Sequence, residues 1–252
     1  MVWDLAAGLC KATLRGHTNS VKAVCRIDAT TLASGARDSS IRIWDLPSGS
    51  CRSELREHSG DVNALCQVDA TTLASGSSDD SIKVWDLSSK RCVATLTGHD
   101  GSVLALCKLG ESTLASGSGD ETIKIWDLTS QTCTSTLTGH TSGVLALCRV
   151  TPTLLASGSG DKSIKVWEIP SGTCEATLES HRGDVLAVCR INSTTIASAG
   201  GDRDVRIWDL TSHSCTATLA FHKDSVTSLC RVTKGTTKLV SGGKDLQISL
   251  WS

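Results

Sequence analysis

The stretch LASGSGDETIKIWDL, residues 114–128, carries Ser116, Asp120 and Trp126, and His99 lies shortly before it. Serine, histidine and aspartate are the residue types of nucleophilic catalysis, in which a hydroxyl attacks, an imidazole takes its proton and a carboxylate orients the imidazole. Twelve cysteines add a second candidate chemistry, because thiols can form disulfides or ligate metal. An enzyme needs one such constellation, so the number of copies decides between chemistry and architecture.

The set occurs six times. Histidines stand at 17, 58, 99, 140, 181 and 222, always 41 residues apart. Serines stand at 34, 75, 116, 157, 198 and 241, each followed four residues later by aspartate, at 38, 79, 120, 161, 202 and 245. Tryptophans fall at 3, 44, 85, 126, 167, 208 and 251, with five gaps of 41 and a last gap of 43. Self-similarity at a fixed period means one supersecondary unit copied along the chain.

One copy shows what the unit is. SVLALC (102–107) is a short apolar run, TLASGS (113–118) a second, and TIKIWDL (122–128) and CTSTL (133–137) alternate. Each is bounded by Gly, Ser or Asp, as strands are, and none holds a helical period over ten residues. Four short strands per repeat predict a small antiparallel sheet. Such a sheet cannot bury both faces alone, and stacking copies around an axis solves that problem.

The GH pairs at 16–17, 98–99 and 139–140, with WD at 44–45, 85–86, 126–127 and 208–209, make the chain resemble the WD-repeat (WD40) β-propeller family over essentially its whole length. The pattern departs at Glu57, Ser180 and Phe221, which replace the Gly before His, and at Glu168 and Ser252, which replace the Asp after Trp. The resemblance implies an all-β fold: a six-bladed WD40 β-propeller of four-stranded antiparallel blades forming one domain over 1–252. The expected blades are about 15–55, 56–96, 97–137, 138–178, 179–219 and 220–252 plus 10–14. The strand at 10–14 is expected to close the ring by pairing with the C-terminal blade. VWDL at 2–5 complicates this, because it looks like a third strand whose slot ISLW at 248–251 already fills.

The resemblance also implies that His, Ser, Asp and Trp of each blade form a buried hydrogen-bonded tetrad. The six are His17, Ser34, Asp38, Trp44; His58, Ser75, Asp79, Trp85; His99, Ser116, Asp120, Trp126; His140, Ser157, Asp161, Trp167; His181, Ser198, Asp202, Trp208; and His222, Ser241, Asp245, Trp251. A buried indole N–H needs an acceptor, and a serine hydroxyl can accept it while donating to imidazole. Aspartate then fixes the imidazole tautomer. Sixfold copying favours architecture over catalysis, so no catalytic residue is expected.

The cysteines pair 15 residues apart: 10 and 25, 51 and 66, 92 and 107, 133 and 148, 174 and 189, 215 and 230. In the expected fold one of each pair starts an outermost strand and the other lies on an inner strand of the next blade, beyond disulfide reach. They read as small apolar core residues in a reducing, intracellular setting, cytoplasmic or nuclear. No close CxxC appears, so neither metal nor cofactor is expected. GSGDKS (158–163) is similar to a phosphate loop but lacks its Gly-Lys-Ser/Thr ending. The net charge of -1 and the lack of a long apolar run argue against nucleic acid and membrane as partners.

Function must then reside on the surface. In such propellers two positions per blade usually reach the top face. Carried over by the resemblance, the first set is Lys22, Asn63, Leu104, Leu145, Leu186 and Thr227, and the second is Arg37, Ser78, Gly119, Gly160, Gly201 and Lys244. Leucines on some blades and cations on others suit a peptide with an aliphatic anchor and an acidic or phosphorylated residue. The expected protein is a non-enzymatic scaffold or adaptor in a multiprotein complex. The alternatives are a substrate receptor of a ubiquitin ligase and an anion site built from Arg26, Lys108, Arg149, Arg190 and Arg231, with Gln67 at the sixth position. The arginine that often marks such receptors is absent, its positions being Pro47, Ser88, Thr129, Pro170 and Thr211.

Overall fold

Apolar residues alternate with polar ones in runs of four to seven, and every regular element among the described residues is accordingly a strand. The computed structural model describes residues 2–4, 7–232 and 238–251. Strands β1 (Val2–Asp4) and β2 (Leu9–Ala12) form a hairpin. The first full sheet contains β3 (Val21–Arg26), β4 (Thr31–Ala36), β5 (Ile41–Asp45) and β6 (Cys51–Leu55), and the second β7 (Val62–Gln67), β8 (Thr72–Ser77), β9 (Ile82–Asp86) and β10 (Arg91–Leu96). The third has β11 (Val103–Lys108), β12 (Thr113–Ser118), β13 (Ile123–Asp127) and β14 (Thr132–Leu137). The fourth has β15 (Val144–Arg149), β16 (Leu154–Ser159), β17 (Ser163–Glu168) and β18 (Thr173–Glu179). The fifth has β19 (Val185–Arg190), β20 (Thr195–Gly200), β21 (Asp204–Asp209) and β22 (Ser214–Ala220). The sixth has three: β23 (Val226–Val232), β24 (Lys238–Gly243) and β25 (Ile248–Trp251). Strand order in each sheet follows the chain, so the sequence contains six blade-type sheets.

Two local devices recur. The residue after each tetrad aspartate takes a left-handed backbone: Ser39, Asp80, Glu121, Lys162, Arg203 and Leu246 have φ between 60° and 74°. This makes the tight turn between the second and third strands. Where a tryptophan strand pairs with an outer strand, a bulge, as between Ile125 and Trp126 and between Val166 and Trp167, sets the cysteine of the outer strand opposite the indole. Such a bulge re-aims the side chain next to it.

The chain divides into two compact units, residues 1–106 and 107–252. In the first, Ala33, Ile41, Ile43 and Leu55 of one sheet pack on Val62, Leu73 and Trp85 of the next. In the second, Ala156, Ile164, Val166 and Leu178 pack on Val185, Ile196 and Trp208 in the same way. Each fully buried aliphatic side chain contributes about 1.5–3 kcal/mol, so sheet-on-sheet burial is the main stabilising term within each unit.

The strand expected at 10–14 corrects the closure scheme. In the first unit β2 pairs with β1, Trp3 opposite Cys10 and Asp4 opposite Leu9, and in the second unit the C-terminal sheet has three strands among the described residues. A hairpin closes a loop of a few residues, whereas pairing with the C-terminal blade closes one of more than two hundred, and loop-closure entropy favours the local partner. VWDL is thus a third strand of the repeat type with its own fourth strand, up to Leu5, which lies outside the described residues.

Candidate functional site

The second repeat shows how the tetrad is assembled. Trp85 Nε1 donates to Ser75 Oγ at 2.8 Å, and Ser75 Oγ lies 2.7 Å from His58 Nε2. His58 Nδ1 lies 2.7 Å from Asp79 Oδ2. The carboxylate requires the proton on Nδ1, so Nε2 accepts the serine hydroxyl, and every polar hydrogen of the set has one acceptor. The fourth, fifth and sixth repeats repeat the chain with His–Ser distances of 2.7, 2.6 and 2.8 Å and Trp–Ser distances of 2.8, 2.7 and 2.8 Å. In the first repeat His17 is 2.7 Å from Ser34 and 3.0 Å from Asp38, and Trp44 bonds Ser34 at 2.7 Å. In the third, Trp126 donates to Ser116 at 2.7 Å.

Burial excludes catalysis by these serines. Ser75, Ser116, Ser157, Ser198 and Ser241 have no exposed surface, so no scissile bond can approach the hydroxyl. Burial also pushes His58, His140 and His181 below the ordinary imidazole range, with the partner carboxylates opposing it only in part. The rings are therefore neutral near pH 7. Burial pushes Asp79 and Asp161 up, but hydrogen bonds from Ser81 and His58, and from Ser163 and His140, outweigh it and hold both at about 2.

A fifth member escaped the sequence reading. Ser40, Ser81, Thr122 and Ser163, two residues after the aspartate, donate hydroxyls to its Oδ1 at 2.6–2.7 Å. The backbone N–H after the histidine, as in Ser59 and Arg182, donates to Oδ2 at 3.0 Å. The signal was a Ser or Thr at this position in four of six repeats. In the other two, Asp204 and Gln247 donate only their backbone N–H.

The cysteines are all free thiols, five exposed and seven half-buried, so they are rim residues rather than members of the fully buried core. Their sulfur donates to local carbonyls, as Cys51 to Ser53 O at 3.3 Å, which lets a thiol sit at a partly wet edge. Burial pushes the Cys25, Cys148 and Cys189 thiols up, Cys189 to about 12, so these three are neutral and weakly nucleophilic. No cluster of three metal-ligating side chains occurs among the described residues.

The surface positions separate by unit. In the first, Lys22 and Arg37 are exposed, and Arg37 Nε lies 3.3 Å from Asp61. Asn63 Nδ2 donates to Ser78 Oγ at 3.0 Å and to Val103 O at 3.2 Å, and Leu104 is half-buried. In the second, Leu145 and Leu186 are half-buried on the neighbouring inner strands β15 and β19. Thr227 hydroxyl donates to Gly242 O at 3.3 Å, and Lys244 is exposed. Gly119 and Gly201 are exposed and Gly160 half-buried. Five of the six residues at the other end of the inner strands, Lys108 apart, donate to backbone carbonyls, Arg231 to Ile191 O at 2.6 Å. Arg26 Nε donates to Asp28 O at 2.9 Å, Gln67 to Ile27 O at 2.8 Å, Arg149 to Thr151 O at 3.2 Å and Arg190 to Asn192 O at 3.3 Å.

The family model described as "WD domain, G-beta repeat" matches residues 8–45, 49–86, 90–127, 131–168, 172–209 and 213–252. A stretch of 42 residues is 48% identical to Mitochondrial division protein 1 of Pyricularia oryzae (strain 70-15 / ATCC MYA-4617 / FGSC 8958). It covers 17% of this chain and 6% of that protein, about the length of one repeat.

Proposed function

The chain belongs to the WD40 family of WD-domain, G-beta repeats, and from that premise we propose that it is a non-enzymatic scaffold that binds peptide segments through side chains near the starts of its inner strands. Repeats of this family generally serve protein interaction. The observation that carries the reading is a contrast between positions. The buried His, Ser, Asp and Trp repeat in every blade, while the residue after the first inner-strand Val changes from Lys22 to Asn63, Leu104, Leu145, Leu186 and Thr227. Variation where side chains reach the surface, against a constant interior, is what a binding face requires.

In the second unit Leu145 and Leu186 supply apolar surface and Lys244 a cation, which fits an aliphatic anchor with an acidic or phosphorylated neighbour. In the first unit Arg37 is already neutralised by Asp61, so its charge contributes less. The match to Mitochondrial division protein 1 is too short a part of that protein to carry a partner across.

The experiment compares affinity capture by wild type, Leu145→Asp and Arg37→Glu, read by mass spectrometry alongside thermal unfolding. Leu145→Asp is expected to lose specific partners while remaining folded, and Arg37→Glu to have a smaller effect. Identical partner sets for a folded Leu145→Asp and wild type would reject the proposal.

A further inference from the structure

The turns that follow the inner strands carry a recurring cap. Asp28 Oδ1 accepts the Thr30 N–H at 2.7 Å, and Asp69 Oδ1 accepts the Thr71 N–H at 2.8 Å. In the fifth repeat Asn192 Oδ1 accepts the Thr194 N–H at 2.9 Å. The backbone N–H groups of Thr30 and Thr71 are the largest influence holding Asp28 and Asp69 below the ordinary carboxylate range. The turn therefore favours a negative charge at the capping position.

The fourth repeat fills this position with Thr151, in the turn between β15 and β16 and inside the second unit. Its Oγ1 accepts the N–H of Thr153 at 3.2 Å and that of Leu154 at 3.0 Å, so a hydroxyl does here what a carboxylate does in the first two repeats. Pro152 follows, and Thr151–Pro152 is the one Ser/Thr–Pro dipeptide in the chain. Thr151 is half-buried, and Pro152 and Thr153 are exposed.

Two guanidiniums belong to the same place. Arg149 Nε donates to Thr151 O at 3.2 Å, and its Nη groups make no bond among the described residues. On the next inner strand the Arg190 N–H donates to Cys148 Sγ at 3.1 Å, which sets the end of β19 against the end of β15. The side chain at this position reaches back to the preceding turn in two other repeats, Gln67 to Ile27 O at 2.8 Å and Arg231 to Ile191 O at 2.6 Å. Arg190 is their equivalent for the Thr151 turn. Neither Arg149 nor Arg190 has an ion-pair partner among the described residues. In the first repeat Arg26 has the carboxylate of Asp28 two residues on, whereas Arg149 has only a hydroxyl.

We propose that Thr151 is a phosphorylation site for a proline-directed protein kinase, and that its phosphate is held by the turn N–H groups together with Arg149 and Arg190. The γ-phosphoryl group of ATP passes to Thr151 Oγ1. The bond to ADP breaks, the ester bond forms, and the hydroxyl proton leaves to the kinase's base. The ester carries about two negative charges near pH 7, and so supplies the anion that Asp28 and Asp69 supply in their turns. Arginine–phosphate bonds are charge-assisted and stronger than those of a neutral hydroxyl. Thr151 lies beyond the end of β15 opposite to Leu145, so this site and the proposed scaffold function can fail separately.

The test incubates the full chain with a purified proline-directed kinase and Mg-ATP and maps the product by mass spectrometry. One phosphate at Thr151 is expected, and none at this residue in Pro152→Ala. If Thr151 stays unlabelled under conditions that label a synthetic peptide of residues 146–156, the turn is closed to the enzyme and the proposal fails. The phosphorylated chain is expected to melt about 2–4 °C above the unmodified chain near pH 7. Arg149→Ala and Arg190→Ala are each expected to lose at least about half of that gain, each variant being compared with its own unmodified form. No gain, or a gain that survives both changes, would overturn the capture of the phosphate. Inorganic phosphate added to the unmodified chain separates the ester from a free ion. It is expected to leave the melting temperature unchanged, and a shift as large as that of the ester would assign the place to a free anion instead.

Discussion

At the residue scale the tetrad couples three requirements: the indole N–H, the imidazole tautomer and the carboxylate must all be satisfied out of water. The pKa directions make this visible in stability. His58, His140 and His181 titrate below their unfolded value in the folded chain, so between the two values the unfolded chain holds more protons. Their contribution is complete above the unfolded histidine value and is lost as pH falls below about 6.5. Asp79 and Asp161, held at about 2, add a second loss as pH falls from about 4 toward 2. Thermal unfolding followed from pH 8 to pH 3 is expected to show both declines, and a midpoint independent of pH across 6.5 to 5 would contradict the histidine part. Leu246 offers a separate test. It is 95% exposed and has φ of 63°, a backbone that costs a leucine about 1 kcal/mol and that Asn tolerates. Leu246→Asn is expected to raise stability by about 0.5–1 kcal/mol, measured by denaturant unfolding.

At the scale of elements, the second strand of a blade must let the next blade's inner strand come close. A Cβ added at Gly158 would lie 2.6 Å from Val185 Cγ1, and one at Gly76 2.5 Å from Val103 Cγ1. Valine side chains cannot retreat far, so Gly158→Ala is expected to destabilise by about 1–3 kcal/mol. A neutral result in chemical denaturation would show that the sheets slide freely. Ala199 occupies this position in the fifth blade, buried beside Val226, and the half-buried Ile191, Ile207 and Leu219 show looser packing there. Strand identities were legible because the period is regular: runs read at 102–107 and 113–118 are found as Val103–Lys108 and Thr113–Ser118. The partner of β2 was not legible. Its alternation fits any third strand of the repeat, and only loop length separates Trp3 from Trp251 as neighbour. The hydroxyl of Ser81 was also missed, because a serine in a turn looks like ordinary turn chemistry.

For the whole molecule, the sequence established class and copy number, while site chemistry needed coordinates. Six matches to one family model follow from the spacing of His, Ser, Asp and Trp. Spacing could not tell that Arg26 and Arg149 are occupied by carbonyls, or that Thr151 caps its turn as Asp28 and Asp69 cap theirs. With 25 basic and 26 acidic residues, long-range attraction is weak and recognition must rest on local patches. The proposed scaffold role accordingly depends on side chains that differ between blades, and on an interior that does not.

The central claim is that the repeated His, Ser and Asp hold the fold and perform no reaction. Its most direct measurement is the stability of Ser75→Ala, Ser157→Ala and Ser198→Ala. Each removes the oxygen that accepts from Trp and meets His. Each is predicted to lose about 1–3 kcal/mol, several degrees in Tm for a chain of this size. If any one of the three unfolds at the wild-type temperature, that serine is not structural and the account is contradicted.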